Sequence, residues 1–493
     1  MNLNDLYETR PFEEGDGGFI EEKIAEETAA VMPPEDGMEI DEIMEKLARD
    51  GWEKESFNGA WLYAEKGAII AKGAVGFCDP QNSQPVKEDT IFQLASVTKQ
   101  FTAAAVMLLV RDGLIHLEDD ITSYFPQIPY KGVTLRHLLT HTSGIPDYFD
   151  DEDWLIDLWK KENRVPENDV IPRFLCEAKV KPYFAPGEDF AYSNTGYNLL
   201  ASVIEQASGE TFEDFLKKRL FEPAGMTSTG VYHTRRDGVP FDNYAQATVL
   251  EDDGYVRDVD SEDCGDVTAF DGLNGDDYVY TNIFDMFAWE NALRDCRVLT
   301  FEEQRIMYTP ARLNNGEDYR NEDDGSYGFG WGITNDPQLG LIVNHSGGMP
   351  GVHTWFERFV DADRMLVILC NREEQDARAH RGVFEGMRDA ARGREPQAVQ
   401  SIEDIAVRNP DTTSWNGFCG KYEHPEDADF IIDEVYRRDD DLYARAIDDD
   451  GDELEFRLYP LAENEFGRKG GFLKVKFSED SLIVGDTTFR KLS

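Results

Sequence analysis

The chain has 493 residues, 41% of them hydrophobic, enough for about two to four domains with real cores. Its 99 acidic against 49 basic residues give a formal net charge of −50, which argues against nucleic acid and anionic membranes as partners and disfavours an acidic substrate. No stretch approaches the ~18 consecutive apolar residues of a membrane span, the first 25 residues carry no basic or apolar leader, and six scattered cysteines without a CxxC read as reduced, mostly buried thiols. A cytoplasmic protein is therefore expected. The acidity fits either adaptation to high salt or plain solubility, and neither reading specifies a function.

Residues 1–38 read as an acidic extension broken by "FEEGDGG" and "VMPPEDG", with one short helix in "IEEKIAEETAAV". A helix in "IDEIMEKLARDG" then leads into two strand-forming runs around Lys66-Gly67, a hairpin. After the loop "DPQNSQPVKEDT", apolar residues recur at helical spacing from Ala95 (Phe101, Ala104, Ala105, Leu108, Leu109), and the helix is predicted to end near Gly113. Residues from about 130 to 320 are helices and long loops, among them "VTLRHLLTHTSGIPDYF" and "TGYNLLASVIEQASG". Strands return in "LGLIVNHSGGMPGVHTWFERFVDADRMLVILCNRE", read as two antiparallel strands joined at Asp361-Ala362-Asp363. A sheet that begins before the helical block and finishes after it implies one domain, residues 39–396. Residues 397–493 alternate in short strands separated by acidic turns such as "DDDGDE", which predicts a small antiparallel barrel or sandwich.

Three short motifs carry chemistry. Ser96 and Lys99 stand three apart at the start of an apolar helix, on one face, so the amine can reach the hydroxyl; a plain helix cap is the alternative reading. Tyr192 and Asn194 lie on a loop just before a helix, where a capped start with a packed aromatic would look the same. His345, Ser346 and Gly347 sit in a predicted strand whose glycines imply close approach of a backbone or a ligand. The histidines form no HExxH and no Cys/His cluster, so no metal site is expected, and no GxSxG of a lipase-type hydrolase occurs.

Taken in order, "SVTK", "YSN" and "HSG" resemble the SxxK, YxN and [KH]-[ST]-G motifs of the serine β-lactamase and penicillin-binding protein superfamily, closest to its class C, D-peptidase and esterase branch. The flanking text "IFQLASVTKQFTAAAVMLLVRDGLIHLEDDI" and "LRHLLTHTSGIPDY" has the same look. The likeness spans about residues 40–395, and the C-terminal module resembles the lipocalin-like domain often appended to such enzymes. It implies an α+β fold, an antiparallel sheet flanked by helices beside an all-helical subdomain, followed by a β-barrel. It also implies Ser96 as nucleophile, Lys99 as base, Tyr192 as second proton carrier, and Asn194, His345, Ser346 and Gly347 as substrate contacts. The backbone N–H groups of Ser96 and Gly348 would form the oxyanion hole. No cofactor is implied, and the partner is a small amide, ester or peptide; the oligomeric state is left open.

His345 replaces the lysine of many β-lactamases and carboxypeptidases, which weakens β-lactam turnover as the natural activity. A neutral His345, bonded to Tyr192 or to the substrate and titrating near or just under ~6.5, is the expectation. His141 of "HTSG" reads as structural, lining the cleft. β-Lactamase or penicillin-binding activity proper, and a non-catalytic acyl-binding receptor or scaffold, are the alternatives; a scaffold has no need of Lys99 or Tyr192.

Overall fold

The computed structural model describes residues 39–492 except 178–180, 252–253, 263, 322–323, 409, 424–430, 448–452, 470–472, 479 and 485–486. The expected helix in the N-terminal extension and the acidic turn at 448–452 lie outside the described residues. The helices that frame the site are α1 (Ile40–Glu53), α2 (Lys99–Arg111), α3 (Asn194–Ser208), α4 (Ile283–Arg294) and α5 (Ala377–Ala391). Strands β1 (Gly59–Glu65), β2 (Ala68–Val75), β3 (Ser326–Tyr327), β4 (Gly332–Asp336), β5 (Gly340–Met349), β6 (Val352–Phe359) and β7 (Arg364–Cys370) form one antiparallel sheet in the order β2-β1-β7-β6-β5-β4-β3. Among the described residues no helix is long and apolar enough to cross a membrane.

The period-2 alternation of strands explains why this sheet has helices on both faces. In the central strands, Trp61, Tyr63, Leu366 and Ile368 point to one side and pack with Met44, Leu47, Val383 and Met387 of α1 and α5. Their neighbours Ala60, Leu62, Val367 and Leu369 point to the other side and join Phe101 of α2 and Trp289 of α4. β1 from Gly59 to Ala64 and β7 from Met365 to Cys370 are therefore without a charged residue, and α2, buried from Lys99 to Leu109, is the central helix of the larger core. The hairpin at Lys66-Gly67 forms as the sequence predicts, with φ of 50° and 72° at its two central residues and Glu65 paired with Ala68. Both values belong to the turn that suits the strand twist, and Gly67 meets one of them without strain.

The run from Leu339 to Glu373 holds three strands where the sequence predicts two. Asp361-Ala362-Asp363 does join β6 to β7, but Pro350-Gly351, with Gly351 at φ 69°, turns the chain once more between β5 and β6. A proline fixes the first turn position and a glycine takes the left-handed one, so two residues between the paired Met349 and Val352 reverse the strand. The cysteines also differ from expectation: only Cys78 and Cys370 are buried, while Cys176 and Cys296 are exposed, and all six are free thiols.

Strands β8 (Gly420–Glu423), β9 (Ile431–Arg438), β10 (Asp441–Ile447), β11 (Glu453–Pro460), β12 (Glu465–Gly467), β13 (Lys474–Phe477), β14 (Ser481–Val484) and β15 (Thr487–Lys491) close into an antiparallel barrel. Its interior is a separate core of Tyr422, Ile432, Val435, Leu442, Phe466, Phe477 and Phe489, capped by Trp415. Closure pairs each of these strands with two neighbours, so none presents an open edge.

Candidate active site

Ser96 lies on a 3-10 turn, Ala95–Thr98, that runs directly into α2. Ala95 precedes it at φ 49°, a left-handed conformation that costs an alanine energy and is seen where a fold over-determines a functional position. His141 (57°) and Tyr278 (77°), two further non-glycine residues near the same centre, share this feature. The hydroxyl of Ser96 is half-buried, while Lys99 is fully buried.

The buried amine of Lys99 is ringed by acceptors. Its Nζ donates to Ser96 Oγ (2.9 Å), Asn194 Oδ1 (2.7 Å) and the backbone carbonyl of Asp276 (3.2 Å). An ammonium has three donors and finds three partners here; a free amine in the same place has its lone pair within reach of the Ser96 proton. The aromatic faces of Tyr192 and Tyr197 cover it, with Nζ 4.8 and 5.6 Å from the ring centroids. Tyr192 is the accessible member, 38% exposed. Burial of its hydroxyl raises its pKa, and Lys99 and Ser96 pull the other way by charge and hydrogen bonding.

Asn194 is the first residue of α3, and its placement is local. The middle residue of "YSN", Ser193, caps that helix by accepting from Gly196 N–H at 3.2 Å. The Asn194 N–H is held by a short bond to the Asp147 carboxylate. With its carbonyl turned to Lys99, the NH₂ end of the Asn194 side chain is the part that can meet a substrate.

The third motif is set by alternation along β5. His345 and Gly347 are buried, and Ser346 and Gly348 are exposed between and beyond them. Gly347 permits the closest approach in the site: a Cβ there would stand 2.3 Å from the Leu94 carbonyl and 2.2 Å from Thr354 Oγ1. Thr354 itself donates to Leu94 O at 2.7 Å, so β5 and β6 lie directly on the turn that presents Ser96. A Cβ on Gly348 would meet nothing within 4 Å.

His345 does not bond Tyr192, as the sequence expects; the rings are 6.2 Å apart. Its Nδ1 donates to the Ser346 carbonyl at 2.6 Å and its Nε2 accepts from Tyr327 Oη at 2.8 Å. Burial and the nearby Lys99 push its pKa down to about 3, outweighing the bond to Ser346, so it is neutral at pH 7. His141 is also buried and lowered well below the usual range, first by burial and then by Lys99 and His345. It accepts from Ser193 N–H at 3.0 Å, and its ring packs 4.3 Å from Tyr192 and 4.7 Å from Tyr327.

Sequence reasoning missed Tyr327 and the acids behind Lys99. Asp276 accepts from Tyr148 Oη (2.9 Å) and Asn198 Nδ2 (2.5 Å) while its backbone holds Lys99. Burial raises the Asp147 pKa to about 6; Asp276 adds to the rise, and N–H donors from Phe149 and Asn194 together with Lys99 oppose it. These residues sit in "GIPDYFDD", "LNGDDYVY" and "GSYGFG", loop text whose only signal is an acid or tyrosine beside a glycine or proline.

A Ser-Lys pair at the head of the central helix, a Tyr-x-Asn at the start of a second, and a glycine-bearing strand laid against both define a serine hydrolase-type site of the β-lactamase and transpeptidase fold. The Beta-lactamase family model matches residues 44–385, and the chain belongs to that family. Penicillin-binding protein 4* of Bacillus subtilis (strain 168) is 33% identical over 428 residues, 86% of this chain and 91% of that protein. The octameric penicillin-binding protein homologue from Pyrococcus abyssi shares the fold with a TM-score of 0.61 at 21% identity, over 92% of this chain and all (100%) of that one. The D-amino acid amidase from Ochrobactrum anthropi SV3, complexed with L-phenylalanine amide, shares it with a TM-score of 0.57 at 23% identity, over 71% of this chain and 97% of that one.

Proposed function

We propose that the protein hydrolyses small amides and esters through an acyl-enzyme, with preference for acyl groups that carry no negative charge, D-amino-acid amides and short D-peptides with a free amino group among them. The observation that carries this reading is Lys99 Nζ, held between Ser96 Oγ and Asn194 Oδ1 beneath Tyr192. The Ser96 oxygen attacks the substrate carbonyl as its proton passes to Lys99. The Ser96 and Gly348 N–H groups take the negative charge that develops on the carbonyl oxygen. Tyr192 gives a proton to the departing amine or alcohol, and the C–N or C–O bond breaks to leave the acyl group on Ser96. Water then adds to that ester and loses its proton to Tyr192; the acyl–Oγ bond breaks, the acid departs, and Lys99 returns its proton to Ser96 Oγ.

The charge preference follows from His345. A carboxypeptidase needs a fixed cation for the substrate carboxylate, whereas this imidazole is neutral and both nitrogens are already used within the protein. The overall charge of −50 favours cationic over anionic ligands in the same sense. The amidase neighbour supports beginning with D-amino-acid amides.

The test is covalent labelling by a fluorophosphonate and a fluorescent penicillin, read by intact mass, beside a panel of p-nitrophenyl esters, D-amino-acid amides and nitrocefin. Labelling and turnover are expected in the wild type and absent in Ser96→Ala, and Lys99→Ala should lower kcat by about 10²–10⁴. A folded protein that neither labels nor turns over any member of the panel overturns the reading.

A further inference from the structure

We propose that His353, Glu374 and His380 form a binding site for a late first-row divalent cation, Zn²⁺ above all, separate from the Ser96 centre. Among the described residues, one group of three His, Cys, Asp or Glu side chains brings its ligand atoms together, all within 4.8 Å of one another, and it is this one. The three come from different elements: His353 from β6, Glu374 from the loop after β7, and His380 from α5. Their wide spacing in the chain is why no motif announces them.

The geometry has three properties that a metal site needs. First, His353 Nε2 and Glu374 Oε2 are 3.1 Å apart, close to the ~3.3 Å edge of a tetrahedron with ~2.0 Å bonds, so that pair is already set; the His380 ligand atom lies within 4.8 Å of both, so an approach of at most about 1.5 Å closes the third side. Second, His380 Nδ1 donates to the Ser56 carbonyl at 2.8 Å, which fixes the proton on that nitrogen and turns Nε2 into the ligand atom. A ligating histidine is usually oriented in this way by a carbonyl or carboxylate behind it. Third, His353 and Glu374 are 31% and 21% exposed, so an ion can enter, while a neighbouring cavity of about 350 Å³ that both line leaves room for water or a small acid to complete the coordination.

Two imidazoles and one carboxylate form a donor set that suits zinc, and oxygen-preferring Mg²⁺ or Ca²⁺ poorly. Occupancy would tie β6, the loop after β7 and α5 together. His353 pairs with Gly348 in the β5–β6 ladder, so the tie anchors the neighbour of the strand that carries the third motif.

The test is equilibrium dialysis of the full chain against ZnCl₂, with metal content per chain measured, and titration with Co²⁺ followed by its visible absorption. One equivalent of zinc, an intense Co²⁺ band displaced by zinc, and a rise in Tm on zinc addition are expected, since binding to the native state alone stabilises it. Glu374→Gln keeps the shape and should weaken binding at least tenfold; His353→Ala and His380→Ala should abolish the Co²⁺ band while Ser96 labelling of the same samples reports that the fold is intact. Less than 0.1 equivalent at about 50 µM free zinc in the wild type overturns the proposal. So does stoichiometric binding that all three variants retain.

Discussion

Tyr327 Oη donates to His345 Nε2 at 2.8 Å, and with Nδ1 bonded to Ser346 the imidazole is neutral and fully committed. A residue that the sequence places among substrate contacts is thereby a fixed part of the wall. Because its pKa sits at about 3, His345 contributes no limb to the pH profile of kcat/KM between pH 5 and 7, and His345→Gln should show the wild-type profile at a lower rate. Tyr327→Phe leaves the buried Nε2 without its donor and should lower kcat/KM by about tenfold. The stability sign is also set. Between about 6.5 and 3 the unfolded chain binds a proton that the native His345 refuses, so stability falls as pH falls through that window. Urea midpoints at pH 4, 5, 6 and 7 for wild type and His345→Gln check it; equal slopes would remove the assignment.

Asp147 predicts the opposite slope. Its carboxyl is raised to about 6, first by burial and then by Asp276, while the N–H donors and Lys99 pull it down; Tyr183 Oη also donates nearby, to Asp150. The unfolded chain releases this proton near pH 4 and the native state holds it to about 6, so stability falls as pH rises between those values. Asp147→Asn cannot satisfy both the Phe149 and Asn194 N–H groups and should be less stable at pH 4. That deficit should shrink by roughly 2–3 kcal/mol on going to pH 7. A deficit constant with pH would show that the native Asp147 carboxyl titrates like that of the unfolded chain, and would overturn the assignment.

The parts of this site that were legible in the sequence are those whose geometry is local. Ser96 and Lys99 lie one helical turn apart, and Ser193 caps the helix that Asn194 begins, so spacing alone places each pair. Tyr327, Asp147 and Asp276 were not legible because each meets the site across the tertiary fold, Tyr327 from an edge strand of two residues. The same distinction explains the strands. Alternation marked β6 and β7, whereas the Pro350-Gly351 turn hid inside a glycine-rich run that reads equally well as a single bent strand.

Gly347 gives a prediction that separates packing from chemistry. An added Cβ meets the backbone carbonyl of Leu94 at 2.3 Å, which cannot step aside as a flexible side chain could, and Thr354 Oγ1 at 2.2 Å, which is itself bonded to that carbonyl. β5 must then lift from the Ser96 turn. Gly347→Ala should cost about 1–3 kcal/mol of stability and at least tenfold in kcat. Gly348→Ala, whose Cβ meets nothing within 4 Å, should fold with wild-type stability. Equal Tm losses in the two variants would contradict this account of the strand.

The last prediction concerns where the two modules divide. The sequence places the change of character at residue 397, but Val399 is 5% exposed in the core shared by α1 and α5, and Ile402 N–H donates to Asp376 at 2.7 Å. Asp404 accepts from Lys54 at 2.5 Å, so the short helix Ile402–Ile405 is also bound by an ion pair to the residue that caps the C-terminus of α1. The short helix bonds to the barrel through exposed Glu403, which accepts from Tyr459 Oη at 3.3 Å and Lys469 Nζ at 3.4 Å, whereas the backbone joins it at Val407, whose N–H donates to Pro460 O at 2.7 Å. The boundary we propose is therefore between Ala406 and Val407. Truncation after Ala406 should leave Ser96 reactive to a small fluorophosphonate, because none of Ser96, Lys99, Tyr192, Asn194 and His345 lies beyond it. Truncation after Glu395 should lower Tm further, since it opens the groove that Val399 fills, removes the Ile402 N–H from the Asp376 carboxylate and takes the Asp404 partner from Lys54, a loss of about 2–4 kcal/mol. Melting curves and labelling of the two truncations, side by side, decide it: a shorter form as stable as the longer one would return the boundary to residue 397.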